Sequence, residues 1–313
     1  MRKLTFLLLL VCFSNHGFSQ EINKVAKAKD EALTGAPADT AKKRWFIQGS
    51  GSLTFSQAAF SNWAAGGQNS IGLGAYLNVK ANYKKGKHAW ANTIDLGFGF
   101  QFMGKAKNAK FTKVNDKIEL TTAYGFELHP NKKWYLTLLV NFRTQFANGY
   151  NYPNDSLAIS RFMAPGYLIP GIGITYSPTK WFYLYISPSS GRFTFVLDTA
   201  LANAGSFGVE KGKQIRGEFG PYLRADLNKD LAKNINLTTT LELFTDYLKD
   251  FGNIDVNWNF LLTMKVNKWL AASIQTQLIY DNDVMIQSDP TEPAGPRTQF
   301  KEILGIGLSY KIN

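Results

Sequence analysis

The chain is nearly without cysteine, poor in histidine, and lacks any second long apolar run. Its one cysteine, Cys12, lies inside an N-terminal apolar stretch, so residues 20–313 carry no thiol. That excludes disulfides, thiolate metal sites and a cysteine nucleophile from everything after the stretch. Histidine occurs three times, as His16, His88 and His129, and neither HExxH nor GxSxG is present. Zincin-type and serine-hydrolase chemistry therefore have no motif to rest on. No segment after residue 20 approaches the roughly 20 apolar residues of a transmembrane helix. Acidic residues are scarce beside basic ones, 23 against 35, giving a formal net charge of +12. Such an excess suits nucleic acid or an anionic lipid surface, and the positions of the charges must decide.

The N-terminus reads as a signal peptide over residues 1–19. Arg2 and Lys3 form its charged start, Leu4 to Phe13 its apolar core, and Gly17-Phe18-Ser19 its small-residue cleavage site. Residues 20–44, rich in Lys, Ala, Asp and Thr, read as a periplasmic linker. The texture changes at Trp45 and holds to the end, so residues 45–313 are expected to form one barrel domain.

That texture has a period of two. Ile71, Leu73, Ala75, Leu77, Val79, Ala81 and Tyr83 alternate with Gly72, Gly74, Tyr76, Asn78, Lys80 and Asn82. A strand turns successive side chains to opposite faces, so one face is greasy and the other wet. The pattern returns at Ile94–Phe102, Ile118–Leu128, Leu136–Phe142, Ile235–Tyr247, Ile254–Val266, Leu270–Tyr280 and Leu304–Ile312, and more weakly over 45–56, 166–177, 182–196 and 215–227. About 12 strands result. Soluble strands average roughly 5–6 residues. These reach about 11–13, enough to cross a bilayer at a tilt. Short joins (84–87, 129–133, 177–180, 228–234, 267–268) alternate with long ones (57–69, 103–116, 147–162, 188–214, 281–298). The expected fold is all-β: a closed, antiparallel, up-and-down transmembrane β-barrel with short periplasmic turns and long outer loops.

Tryptophan supports this reading independently. Trp45, Trp90, Trp134, Trp181 and Trp269 each begin a strand after a short join or the linker. Indole rings favour the membrane interface, so the five read as one aromatic girdle. Their spacing also fits a β-propeller, but a propeller blade needs four short strands where each interval here holds two long ones.

The expected lumen lining is the wet face: Asn78, Lys80, Asp95, Glu119, Asn141, Arg143, Gln145, Glu218, Arg224, Glu242, Asp246, Asn257, Asn259, Gln275 and Gln277, with Lys117, Glu127, Asp226, Asp255 and Lys265 on the same face. Charges in a narrow lumen must pair or be hydrated. They make either a salt-bridged core or a narrow hydrated passage, and inward glycines leave room for the second. Lysines at the short joins are either solubilising rim charge or contacts to anionic lipid phosphates. No cofactor, metal site or catalytic set is expected, and no nucleic-acid module is visible. One join, Ser56–Asn69, is unusually apolar; its Phe60, Asn62, Trp63, Gly66 and Gly67 are candidates for a plug or a partner contact.

Several segments carry a family resemblance. They are Phe60-Ser61-Asn62-Trp63 with Gly66-Gly67, Asn141–Phe146 with Gly149-Tyr150, Ala164–Tyr167, Phe207–Glu210 and Met264–Asn267. As a set they resemble the outer-membrane barrel family called domain of unknown function 3078, of Bacteroidetes-type bacteria. The end of the chain, Gly307–Ile312, is similar to the C-terminal signal of outer-membrane barrels, with Asn313 where an aromatic is usual. The resemblance implies a cell outer-membrane address and brings no catalytic residues. The leading functional expectation is a narrow pore or passive transporter for small polar solutes. The alternative is a non-conducting structural or partner-binding barrel in an envelope export or assembly complex. A lipid-acting enzyme is a distant third. Outer-membrane lipids are the expected partners, with lipopolysaccharide and an envelope protein as further candidates.

Overall fold

The computed structural model describes residues 45–58, 70–103, 110–152, 154–249, 251–267, 269–286 and 293–312. The expected signal peptide, the linker and the loop residues Phe60, Asn62, Trp63, Gly66 and Gly67 lie outside the described residues. Twelve strands close into one barrel. In chain order they are β1 (Trp45–Ala58), β2 (Ser70–Lys85), β3 (His88–Met103), β4 (Lys110–Glu127), β5 (Trp134–Thr144) and β6 (Gly166–Thr179), then β7 (Phe182–Phe195), β8 (Ile215–Ala232), β9 (Ile235–Phe244), β10 (Asp255–Lys265), β11 (Leu270–Tyr280) and β12 (Gln299–Ile312). Each pairs antiparallel with its chain neighbours, and β1 meets β12 to complete the ring. No helix among the described residues is long and apolar enough to cross a membrane. The crossing is made by strands.

Alternation sets which face each side chain takes. On β2, Ile71 and Leu73 point outward and are exposed, while Gly72 is buried. On β5, Leu136 and Leu138 are outward and exposed, while Thr137, Leu139 and Asn141 are buried. The outer wall is thus a band of exposed apolar groups, such as Ile94, Leu120, Ile174 and Trp258. In water such a band would be a large aggregation surface; against acyl chains it is solvated.

The five girdle tryptophans project outward at the short-turn rim and are exposed. The Trp45 ring lies 5.3 Å from Tyr83 and 5.6 Å from Trp90, and Trp134 lies 4.3 Å from Tyr176. The Lys229 ammonium sits 4.5 Å over the Trp181 ring. The turns at this rim are tight: only Gly86 and Lys87 join β2 to β3, and Gly86 takes φ +54, a left-handed value that glycine adopts without a steric penalty.

At the other rim residues 110–116, expected within a long loop, belong to β4, while β7 ends at Phe195 as the weak alternation over 182–196 anticipates, so the long join begins after it rather than at 188. The segment after β7 holds a short helix that alternation could not reveal, α1 (Thr199–Ala204). The Asp198 side chain caps it by accepting from Leu201 N at 3.0 Å, and Gly205 ends it at φ +73. Around α1, Ala164, Val196, Leu201, Ala202 and Val209 make a small apolar core.

Candidate functional site: the lumen

The strands turn two unlike walls toward the lumen. Along β5–β9 the inner face is filled. Leu139, Ile169, Tyr185, Tyr222 and Phe244 pack into a buried cluster inside the barrel. Along β11, β12, β1, β2 and β3, the leaner wall, small inward positions recur, Ser273, Gly305, Gly307, Ser52, Thr54, Gly72, Gly74, Gly97 and Gly99, with larger groups such as Tyr76, Lys80 and Lys301 set among them.

Charged groups stand on the filled side and reach across. Glu242 of β9 is the hub. It accepts from the Tyr222 hydroxyl at 2.6 Å, from Arg143 at 2.6 Å, from Arg224 at 3.0 Å and from Asn257 at 2.6 Å. Arg224 also forks onto Asp226 at 2.9 and 3.1 Å and approaches Glu119 to 3.6 Å. Glu119 accepts from Asn141 at 2.8 Å and pairs with Lys117 at 2.6 Å. Glu119 and Glu242 are buried. A buried carboxylate survives as an anion only with partners of this kind, and removing one partner exposes the cost of its desolvation.

A second cluster lies nearer the long-loop rim. Arg192 forks onto Glu218 and pairs with Asp255 at 2.5 Å and Asp281 at 3.6 Å. Its guanidinium lies 4.5 Å over the Phe244 ring. Arg216 joins Glu218 at 2.9 Å and Asp283 at 3.2 Å. Arg143 on β5 to Glu242 on β9, and Arg224 on β8 to Glu119 on β4, each bridge strands that are not neighbours. The pairs therefore cross the lumen rather than line it. Lys301 of β12 also crosses, donating to Asn115 of β4 at 3.3 Å.

The expected lining residues fall as follows. Glu119, Asn141, Arg143, Glu218, Arg224, Glu242, Asn257 and Asn259 are joined through the two clusters, Asn259 by donating to Asn257 at 3.2 Å. Gln277 reaches Asn257 at 3.2 Å. Asp95 sits apart with Tyr76, which donates at 2.6 Å, and with Asn78. Lys80 and Gln275 take the inner face of β2 and β11 outside these clusters. Gln145 and Asp246 lie past the ends of β5 and β9. There Gln145 donates to Ala147 O at 3.2 Å, and Asp246 accepts from the backbone amides of Phe219 and Leu248 at 3.3 and 3.1 Å.

Arg192, Arg216 and Tyr222 are network members that the sequence reading did not single out. Alternation with Glu218 and Arg224 places Arg216 and Tyr222 on the wet face. Arg192 is hidden by an irregularity: Ser187 and Ser190 both turn inward, three residues apart, and shift the phase before Arg192.

Two hollows flank the lumen chemistry. One of about 50 Å³ lies at the short-turn end, lined by Asn82, Ala91, Gly125, Tyr135, Thr137 and Tyr183. Another of about 500 Å³ lies on the outer wall, where Gly51 and Ala75 leave space among Leu53, Leu96, Phe98 and Leu308. The larger one faces lipid, far from the charged clusters. Among the described residues no group of three or more His, Cys, Asp or Glu side chains could hold a metal ion.

Residues 55–150 match the family model described as protein of unknown function DUF3078, the family the sequence resembles. No curated protein matches the chain. Similar solved structures include the NanC porin, at 10% identity and TM-score 0.40, covering 85% of this chain and 100% of that one. The COG4313 outer membrane channel from Pseudomonas putida F1 is similar at 11% identity and TM-score 0.38, covering 88% and 99%. The translocator domain of the autotransporter NalP from Neisseria meningitidis is similar at 11% identity and TM-score 0.33, covering 93% and 95%. At such identity and TM-score the likeness says nothing of solute or partner.

Proposed function

We propose that the chain is an outer-membrane β-barrel that passes small polar solutes slowly, along the lean wall of β11, β12 and β1–β3. The observation that carries the reading is the asymmetry of the lumen. Hydroxyl, amide and glycine positions gather on one wall, while the bulky side chains and most ion pairs crowd the other. A solute moving along the lean wall meets donors and acceptors without stripping a charge from its partner. The exposed apolar outer wall and the aromatic rim support the membrane setting. The leader-like N-terminus supports export.

A second reading has its own observation. The Arg143–Glu242 and Arg224–Glu119 pairs cross the lumen, which favours a sealed barrel acting through envelope partners. Planar-bilayer recording of the purified protein separates the two. The pore reading expects small, steady conductance steps that grow when Glu242→Gln weakens the hub. Silence from both the native protein and E242Q would leave the sealed barrel.

A further inference from the structure

Tyr76 stands near the middle of β2 and turns its ring inward. Its neighbours directly across the ladders are both small: Gly97 on β3 and Ser52 on β1. A ring so placed has room on either side. It takes the β3 side. A Cβ built at Gly97 would come 3.5 Å from Tyr76 Cδ2, so the ring lies on ground that glycine leaves bare.

That seat is held by a hydrogen bond. The Tyr76 hydroxyl donates to Asp95 Oδ1 at 2.6 Å. The Asn78 amide donates to the same oxygen, which fixes the acceptor in turn. Among the described residues Asp95 is the one inward carboxylate of β11, β12 and β1–β3. On the other side of Tyr76 the inner wall stays low, through Ser52 and Thr54 of β1 and Gly305 and Gly307 of β12. An aromatic on a strand has two common χ1 wells, so a ring freed from its seat has another place to go.

We infer that Tyr76 sets the bore of the polar lane along this wall: seated on Gly97 and pinned by Asp95 it leaves the lane clear, and unpinned it swings over Ser52 and narrows it. The consequence for solute passage rests on the pore reading. The position of the ring does not, because it is a property of the barrel whether or not the barrel conducts.

The test uses the full chain and two readouts. One is single-channel conductance in planar bilayers. The other is the rate at which Ser52→Cys reacts, in nanodiscs, with a membrane-impermeant cationic thiosulfonate. Residues 20–313 carry no cysteine, so no other barrel thiol competes. Tyr76→Phe keeps the ring and removes the pin. One hydrogen bond to a charged acceptor shifts such a balance about tenfold, so a ring seated about ten times in eleven becomes evenly shared, and conductance and thiol rate are both expected to fall about twofold. Tyr76→Ala removes the ring, and both are expected to rise above the native values. Gly97→Val fills the seat without touching the hydroxyl or the carboxylate and is expected to act as Y76F does. A tyrosine that only braces the wall would not give opposite signs for Y76F and Y76A. The inference is overturned if those two variants move the thiol rate in the same direction, or leave it unchanged. Silence in the bilayer from native and variant barrels, with the thiol rates split as expected, removes the pore reading and upholds the role of the ring. Steady conductance with thiol rates that do not split does the reverse.

Discussion

The two walls of the lumen are built from the same strand geometry and differ in what they give up. On the β5–β9 side, large side chains meet across the barrel and every charge named there has an opposite partner. On the β11–β3 side, glycine and hydroxyl positions let the strands approach closely, and longer inward groups such as Tyr76, Lys80 and Lys301 stand among short polar ones. The filled wall resembles the core of a soluble protein turned into a lumen, and it should respond to mutation as a core does. The lean wall should respond as a surface does. The comparison teaches that a lumen can carry its stability on one wall and leave the other lightly packed.

The sharpest way to break the comparison is at the hub. Glu242→Ala strips Arg143, Arg224 and Tyr222 of a shared acceptor and should cost about 3–5 kcal/mol, the usual penalty for orphaning a buried charge. Urea unfolding of the protein in lipid vesicles reads it, and a loss below about 1 kcal/mol would mean the lumen is hydrated enough to replace the carboxylate. Next come two glycines. A Cβ at Gly173 would meet the Ile186 carbonyl and, at 2.8 Å, Ser187 Cα, which are backbone and cannot swing away. At Gly74 it would meet only the Thr54 hydroxyl, at 2.5 Å, which can rotate. G173A should therefore cost roughly 1–3 kcal/mol and G74A less than about 1 kcal/mol. Equal losses would erase the distinction between the walls at the level of packing.

Tyr222→Phe removes one donor from Glu242 and leaves the ring in its cluster. A loss of about 1.5–3 kcal/mol is expected, while Thr276→Ser on the outer face of β11 should stay within about 0.5 kcal/mol. The smallest effect lies outside both walls. Glu210 and Lys213 pair at 2.8 Å in the loop after α1, fully in solvent. The Lys213 hydrogen bond and charge hold the Glu210 carboxyl below its usual range, and Glu210 raises Lys213 in return. The lowered carboxyl makes the Glu210 contribution present above the ordinary carboxylate range and lost as pH falls through its folded value. The raised ammonium makes the Lys213 contribution present below the ordinary lysine range and lost as pH rises through its folded value. Exposure screens both, so E210Q should leave the urea midpoint unchanged at neutral pH; a clear shift would show the loop braced more firmly than its exposure implies.

Much of this was legible in the sequence because a barrel imposes one rule on every strand. Ile71 to Tyr83 and Val256 to Met264 announce their outer faces by alternation alone, and the tryptophans mark one rim because each follows a short join. The rule fails where its assumptions fail. Leu139 follows the alternation inward with Thr137 and Asn141, but it is apolar and joins the buried cluster, so a wet inner face does not announce it. Gln145 and Asp246 extend the alternation on paper, but the strands have already ended. The slip between Ser187 and Ser190 changes the phase of β7 and conceals Arg192. Helix α1 carried a readable signature, Asp198 before it and Gly205 after it, masked by the expectation of an unstructured loop. The short closing ladder, Gly49–Thr54 of β1 against Ile312–Gly307 of β12, left no trace in composition, because pairing is a property of two strands far apart in the chain.

The knob around α1 has a consequence for proteolysis. Proteases must draw a stretch of extended backbone into their clefts before they can cut. From Val196 to Lys213 the chain is instead tied back on itself: Val196 donates to Gln214 O, both Gly205 and Gly212 to Ala202 O, and Lys213 to Glu210 O. An enzyme would have to untie that knot before cutting, so this connection should outlast limited digestion of the purified protein and give antibodies a shape, rather than a sequence, to recognise.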